Sequence, residues 1–254
     1  MPPTRLPLLP ASALVLLVVV FGTYVRDIAE ALGRPIPALP MPFGGSLLDN
    51  LIAALLAIAV ACALYRGSAL RALGLAPAGG RGPLLVVLAA LPCTLGLWLL
   101  GDGLRPLDPV ALLMLAVLFP LAEEVLFRGL GFVFVVRVLG WPWVPAAILQ
   151  ALVFGAVHAL NFGGLDGGSV AAIIFAVTTL GAFSFAWLNR LDGYRIWSGL
   201  ALHIALNLVW SMVALPDAAA LEWPGIALRL GAAALAIFLL WRCLTTAERR
   251  GARL

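Results

Sequence analysis

Residues 110–137 read VALLMLAVLFPLAEEVLFRGLGFVFVVR, an apolar run interrupted in its middle by Glu123, Glu124 and Arg128. Wound as a helix, the run is long enough to cross the roughly 30 Å hydrocarbon core of a bilayer. Working outward, apolar stretches bounded by Gly, Pro and charge predict further helices at about 6–25, 47–65, 83–101, 144–165, 169–188, 196–214 and 225–243. The composition agrees. Of the 254 residues 63% are hydrophobic and 11% charged, far from the approximately 25% charged of a soluble domain, and the mean hydropathy is +1.10. The expected fold is all-α, a polytopic membrane protein of about eight transmembrane helices. Little chain is left over for any extramembrane domain, so residues 1–254 read as a single membrane domain.

The net charge of +4 comes from 16 arginines, for the chain has no lysine. No exposed domain gathers them into a nucleic-acid patch, so nucleic acid is not an expected partner. The lipid bilayer is. Cys62, Cys93 and Cys243 all lie in apolar stretches and suggest neither a disulfide framework nor a thiol metal site. The first run lacks a small-x-small cleavage site after its apolar core and reads as an anchor. With the N-terminus inside, Arg5, Arg66, Arg71, Arg81, Arg128, Arg137, Arg190, Arg195, Arg242, Arg249, Arg250 and Arg253 fall on or near the inner side. Only Arg26, Arg34, Arg105 and Arg229 fall outside, so the positive-inside rule predicts that both termini are cytoplasmic. Most acidic residues, Asp166 and Asp217 among them, gather on the outer side.

A charge at the centre of a span costs roughly 2.5–3.5 kcal/mol on insertion scales, so polar residues deep in apolar runs need a reason. Here they are few: Glu123, Glu124 and Arg128 in the fourth run, His158 in the fifth, and His203 with Asn207 in the seventh. Glu124 and Arg128 are four apart and share a helix face, where an ion pair lowers the cost of burying both. Glu123 is rotated about 100° from that face and is left to face a cavity. His203 and Asn207 share the same spacing and can aim at one point. So do Phe154 and His158, which lets the phenyl ring flank the imidazole. Pro120, three residues before the paired glutamates, is expected to kink the fourth helix.

These groups permit hydrolysis. A carboxylate beside a neutral imidazole can take a proton from water, and donors from His203 and Asn207 can stabilise the oxyanion of a tetrahedral intermediate. No serine or cysteine nucleophile stands near in a recognisable motif, which points to attack by activated water. A zinc site on His158, His203 and Glu123 is the chemical rival, because three N/O ligands plus water is a common catalytic arrangement. Spacing along the chain leaves both open. A proton-coupled transporter is a further alternative, for which repeat symmetry is expected and none is seen.

Glu123-Glu124-Val125-Leu126-Phe127-Arg128-Gly129 fits EExxxR, Phe154-Gly155-Ala156-Val157-His158 fits FxxxH, and His203-Ile204-Ala205-Leu206-Asn207 fits HxxxN. With these three motifs in order, the chain resembles the CPBP group of intramembrane glutamic proteases, which includes the CAAX prenyl endopeptidases and the bacterial Abi proteins. The resemblance covers roughly residues 110–214. It implies a metal-independent endopeptidase with no cofactor, a catalytic cavity inside the bundle, and a membrane-associated peptide or protein as substrate, prenylated in the best-known cases. It further implies that Glu123 and His158 activate the water, that His203 and Asn207 form the oxyanion hole, and that Glu124 and Arg128 support them. Localisation in a bacterial inner membrane follows from the same resemblance, as does a division into motif-free helices (1–105), a catalytic core (106–214), and a final span with a basic tail (215–254). A non-catalytic immunity or scaffold protein of the same family is the remaining alternative. Counted at about 1.5 Å per residue, Glu123 is about 20 Å from an outer edge at Val110 and His203 lies near the inner edge, so the site is expected to open inward. His158 fits that depth only if the fifth helix protrudes on the cytoplasmic side, with Trp141-Pro142-Trp143 in the interfacial belt.

Overall fold

The computed structural model describes residues 4–77, 80–106, 108–216 and 221–244. Along the chain run α1 (Leu8–Ala31), α2 (Gly44–Leu64), α3 (Arg81–Leu100), α4 (Pro109–Arg137), α5 (Trp143–Leu160), α6 (Gly164–Leu191), α7 (Trp197–Met212) and α8 (Trp223–Cys243). Seven are long and apolar enough to cross a membrane. The exception is α7, with 16 residues, or about 24 Å of helix. It is shorter than the expected span because the chain leaves it at Val213 in an extended conformation. There Arg105 N–H donates to Met212 O and Asp102 N–H to Ala214 O, both at 2.9 Å. The two loops thus satisfy each other's backbone groups, a need that is absolute away from water. Helix α1 also runs six residues beyond the expected end, to Ala31, through a 3₁₀ turn at Gly22–Tyr24.

The outer surface is what a bilayer solvates. On α3 the residues Leu84, Leu88, Leu91, Leu95 and Leu99 recur at helical spacing and are each at least half exposed, an apolar stripe no soluble monomer would show to water. Helix contacts are made instead by small side chains, such as Ala53, Ala57 and Ala61 on one face of α2, all buried. Apolar side chains gain little from leaving lipid, so close backbone approach has to supply the association energy. Two buried clusters result. One draws on α1, α2, α4 and α5, the other on α3, α6, α7 and α8.

A buried polar network ties the α6–α7 connection. Asp192 pairs with Arg195 at 3.0 Å and accepts from Ser198 Oγ at 2.9 Å, while Gly199 N–H donates to Asn189 Oδ1 at 2.8 Å. Ile196 N–H and Trp197 Nε1 bond to Gly74 O and Ala76 O of the α2–α3 connection. Gly74 has φ +73°, and a Cβ there would lie 2.6 Å from Tyr194 O, so glycine is required on both counts. These contacts fix the start of α7, and with it the depth of His203.

Charge divides between the two ends of the bundle. The end formed by the α2–α3, α4–α5 and α6–α7 connections carries Arg5, Arg66, Arg71, Arg81, Arg137, Arg190, Arg195 and Arg242, with Asp192 the sole acid among the described residues. Towards the opposite end lie Arg26, Arg34, Arg105 and Arg229 beside Asp27, Glu30, Asp49, Asp102, Asp108, Asp166 and Glu222. Arg249, Arg250, Arg253 and Asp217 lie outside the described residues.

Candidate active site

Helix α4 is wound unusually. Met114–Leu118 and Glu124–Phe134 are π-helical, separated by an α-helical turn, Phe119–Glu123. Such winding is rare and tends to mark functional sites. Its first instance has a cause in the sequence: Phe119 N–H donates to Met114 O, and the next residue, Pro120, has no N–H to give. The carbonyl of Leu115 is therefore left without an intrahelical donor in either register. It accepts instead from Asn207 Nδ2 on α7, at 3.0 Å. Where a kink was expected at Pro120, the structure has a rewound turn whose freed carbonyl accepts from the asparagine of HxxxN.

One helix position separates the two glutamates, and they meet different surroundings. The side chains of Glu124 and Arg128 are wholly buried, with Arg128 Nε 3.3 Å from Glu124 Oε1. The guanidinium also lies over the rings of Phe154, at 4.2 Å from the centroid, and Phe185, at 5.0 Å. Neither Nη1 nor Nη2 meets a hydrogen-bond acceptor among the described residues, and the two aromatic faces stand in for one. Glu123, turned away from this pair, is 21% exposed and faces the cavity, as its rotation from Glu124 predicts.

His203 joins the two carboxylates. Its Nδ1 lies 3.1 Å from Glu124 Oε1, and since a carboxylate here only accepts, Nδ1 carries the hydrogen. Its Nε2 lies 3.6 Å from Glu123 Oε2. Phe185 stacks on the imidazole at 5.0 Å. His158 Nδ1 lies 2.9 Å from Phe154 O, which makes Nδ1 the donor and leaves Nε2 able to accept a proton. As expected, the Phe154 ring flanks that imidazole, 4.2 Å away. Glu123 thus lies beside His203, and His158 lines the same cavity. Among the described residues no three His, Cys, Asp or Glu side chains converge at metal-ligand spacing.

The cavity, about 510 Å³ in volume, is lined by Glu123, Phe154, His158, His203 and Asn207. It sits on the seam between the two buried clusters, with α4 and α5 on one side and α6, α7 and α8 on the other. Trp210, Arg105 and Arg229 also line it and are not picked out by the motifs. Trp210 was legible, being three residues beyond Asn207 on the same face of α7. Arg229 and Phe185 belong to other helices, and no local spacing relates them to the motifs.

The cavity leads away from the arginine-rich connections. Helices α4 and α8 line it only up to their midpoints and α5 and α7 mainly with their second halves, and Arg105, Pro106 and Asp108 stand at its rim. That rim is at the end opposite the arginine-rich connections. His158 is two residues from the C-terminal end of α5 and so about 3 Å from it.

The fold and this cavity define a helical integral membrane protein with a cavity lined by polar side chains inside its bundle. Comparison with protein families matches residues 105–209 to the one described as Type II CAAX prenyl endopeptidase Rce1-like. All three motifs fall within the match, which covers α4 to most of α7. No curated protein and no solved structure matches the chain.

Proposed function

We propose that the protein is an intramembrane endopeptidase that hydrolyses a peptide bond of a membrane-associated peptide or protein with water activated by Glu123 and His158. The observation that carries this reading is the single cavity lined by Glu123, His158, His203 and Asn207, backed by the buried Glu124 and Arg128. Glu123 is the base, and His203, held in place by Glu124, donates to the developing oxyanion. Asn207 has a second amide hydrogen beyond the one bound to Leu115 O, and that hydrogen is the other oxyanion donor. Water adds to the carbonyl carbon as Glu123 takes its proton, with His158 accepting the water's other hydrogen and so orienting it. The same proton then passes to the departing amine as the C–N bond breaks.

Glu124 and Arg128 act through His203: the buried ion pair holds Glu124 Oε1 in place to accept from Nδ1–H. General-base catalysis is typically worth about 10² to 10⁴ in rate, so Glu123→Gln should reduce cleavage by that factor while the protein remains folded. Comparing membrane proteins of wild-type and Glu123→Ala cells should reveal an uncleaved species in the variant. An unchanged pattern would count against the enzyme and favour a scaffold role.

A further inference from the structure

The side of the membrane from which this cavity is reached can be read from three independent features. The rim is formed by Arg105, Asp108 and the turn after α5, at the end poor in arginine and rich in carboxylates. Towards the other end the cavity is plugged. All residues of Glu124–Phe134 are buried, and Arg128, Phe127, Phe132, Phe134 and Leu130 fill the bundle beneath Glu123 with at most 1% exposure. No passage leads from the arginine-rich connections to Glu123 without unpacking that plug. The third feature is the charge itself: eight arginines with one acid at the plugged end, against four arginines with seven acids at the open one, among the described residues. Arginine excess in short connections marks the cytoplasmic side.

We propose that the site is open to the non-cytoplasmic side of the membrane. Its substrate is then a segment exposed there, on an exported or membrane-anchored protein, not a chain end presented in the cytoplasm. The substrate part of this proposal rests on the peptidase reading; the sidedness does not. Phe162 at the rim is 51% exposed, Leu165 on the same turn is fully exposed, and Leu70 on the α2–α3 connection is 55% exposed.

In a protein with Cys62, Cys93 and Cys243 replaced by Ala, single Phe162→Cys, Leu165→Cys and Leu70→Cys variants are treated in sealed spheroplasts with a membrane-impermeant sulfonated maleimide. The same treatment is repeated after permeabilisation. Label on Phe162→Cys or Leu165→Cys in sealed spheroplasts, with Leu70→Cys labelled only after permeabilisation, is the expected result. Label on Leu70→Cys in sealed spheroplasts, or none there on either rim variant, overturns it. Adding Glu123→Ala should leave the labelling unchanged, so an inactive enzyme and a wrong-sided cavity give separate results. Any species that accumulates in Glu123→Ala cells should be cut in a segment outside the cytoplasm, and a cut mapped to a cytoplasmic segment overturns the substrate assignment.

Discussion

Pro120 and Asn207 should be energetically coupled although they sit on different helices and do not bond to each other. The link is the carbonyl of Leu115, which loses one donor because Phe119 N–H goes to Met114 O and the next because proline has none. Asn207 Nδ2 supplies the missing hydrogen bond at 3.0 Å. Hydrogen bonds between helices in membranes are worth about 0.6 kcal/mol on average and up to about 1.7 kcal/mol. Leu115 lies along the cavity and is 37% exposed, so water recovers part of the loss and a value near 1 kcal/mol is expected for Asn207→Ala.

In Pro120→Ala a new N–H appears at position 120. Either it bonds to Leu115 O in the π register, or the turn reverts to α winding and Phe119 N–H takes that role. In both cases the carbonyl is satisfied within α4, and Asn207→Ala then costs close to nothing. The measurement is thermal unfolding of the purified protein in detergent for wild type, both single variants and the double variant. For a chain of this size about 1 kcal/mol corresponds to roughly 2–4 °C in the midpoint. The cycle isolates the coupling from the separate effect of removing proline. Equal destabilisation by Asn207→Ala in both backgrounds would refute the orphaned-carbonyl argument.

Arg128→Met leaves Glu124 charged, wholly buried and without its guanidinium, and should cost about 3–5 kcal/mol; Arg128→Met combined with Glu124→Gln should recover most of it, since both charges are gone. Thermal unfolding in detergent measures both. Gly155→Val should cost about 1–3 kcal/mol by overpacking, because a Cβ there meets Thr179 Oγ1 and Phe175 O on α6. It should also lower peptidase activity by displacing Phe154 and His158. Gly231→Ala, with open space around its Cβ, is the neutral counterpart in both assays. Ser198→Ala removes a hydrogen bond to the Asp192 carboxylate and should lower stability by about 1.5–3 kcal/mol, read by the same unfolding measurement.

Much of the site was legible along the chain. Spacing of four predicted the Glu124–Arg128 contact and the Phe154–His158 contact, because a regular helix brings such positions together whatever surrounds it. The one-residue step from Glu124 to Glu123 predicted that one carboxylate would be buried and the other would face the cavity. The partner of Glu123 was not legible. The resemblance linked Glu123 with His158 in activating water, and that His203 lies beside Glu123 depends on where the Asn189–Asp192–Ser198 network and the ties to Gly74 and Ala76 set the start of α7.

The sequence by itself determined that this is a helical membrane protein, how many long apolar segments it has, and which few polar groups lie within them. Each of those follows from the price of exposing backbone and charge to hydrocarbon, a local property of the chain. Only the tertiary structure decided which imidazole meets which carboxylate, that α8 and Phe185 belong to the cavity, and at which end it opens. Those outcomes depend on the relative depth and rotation of packed helices. The π turns of α4 alter both, and no count of residues at constant rise reproduces them.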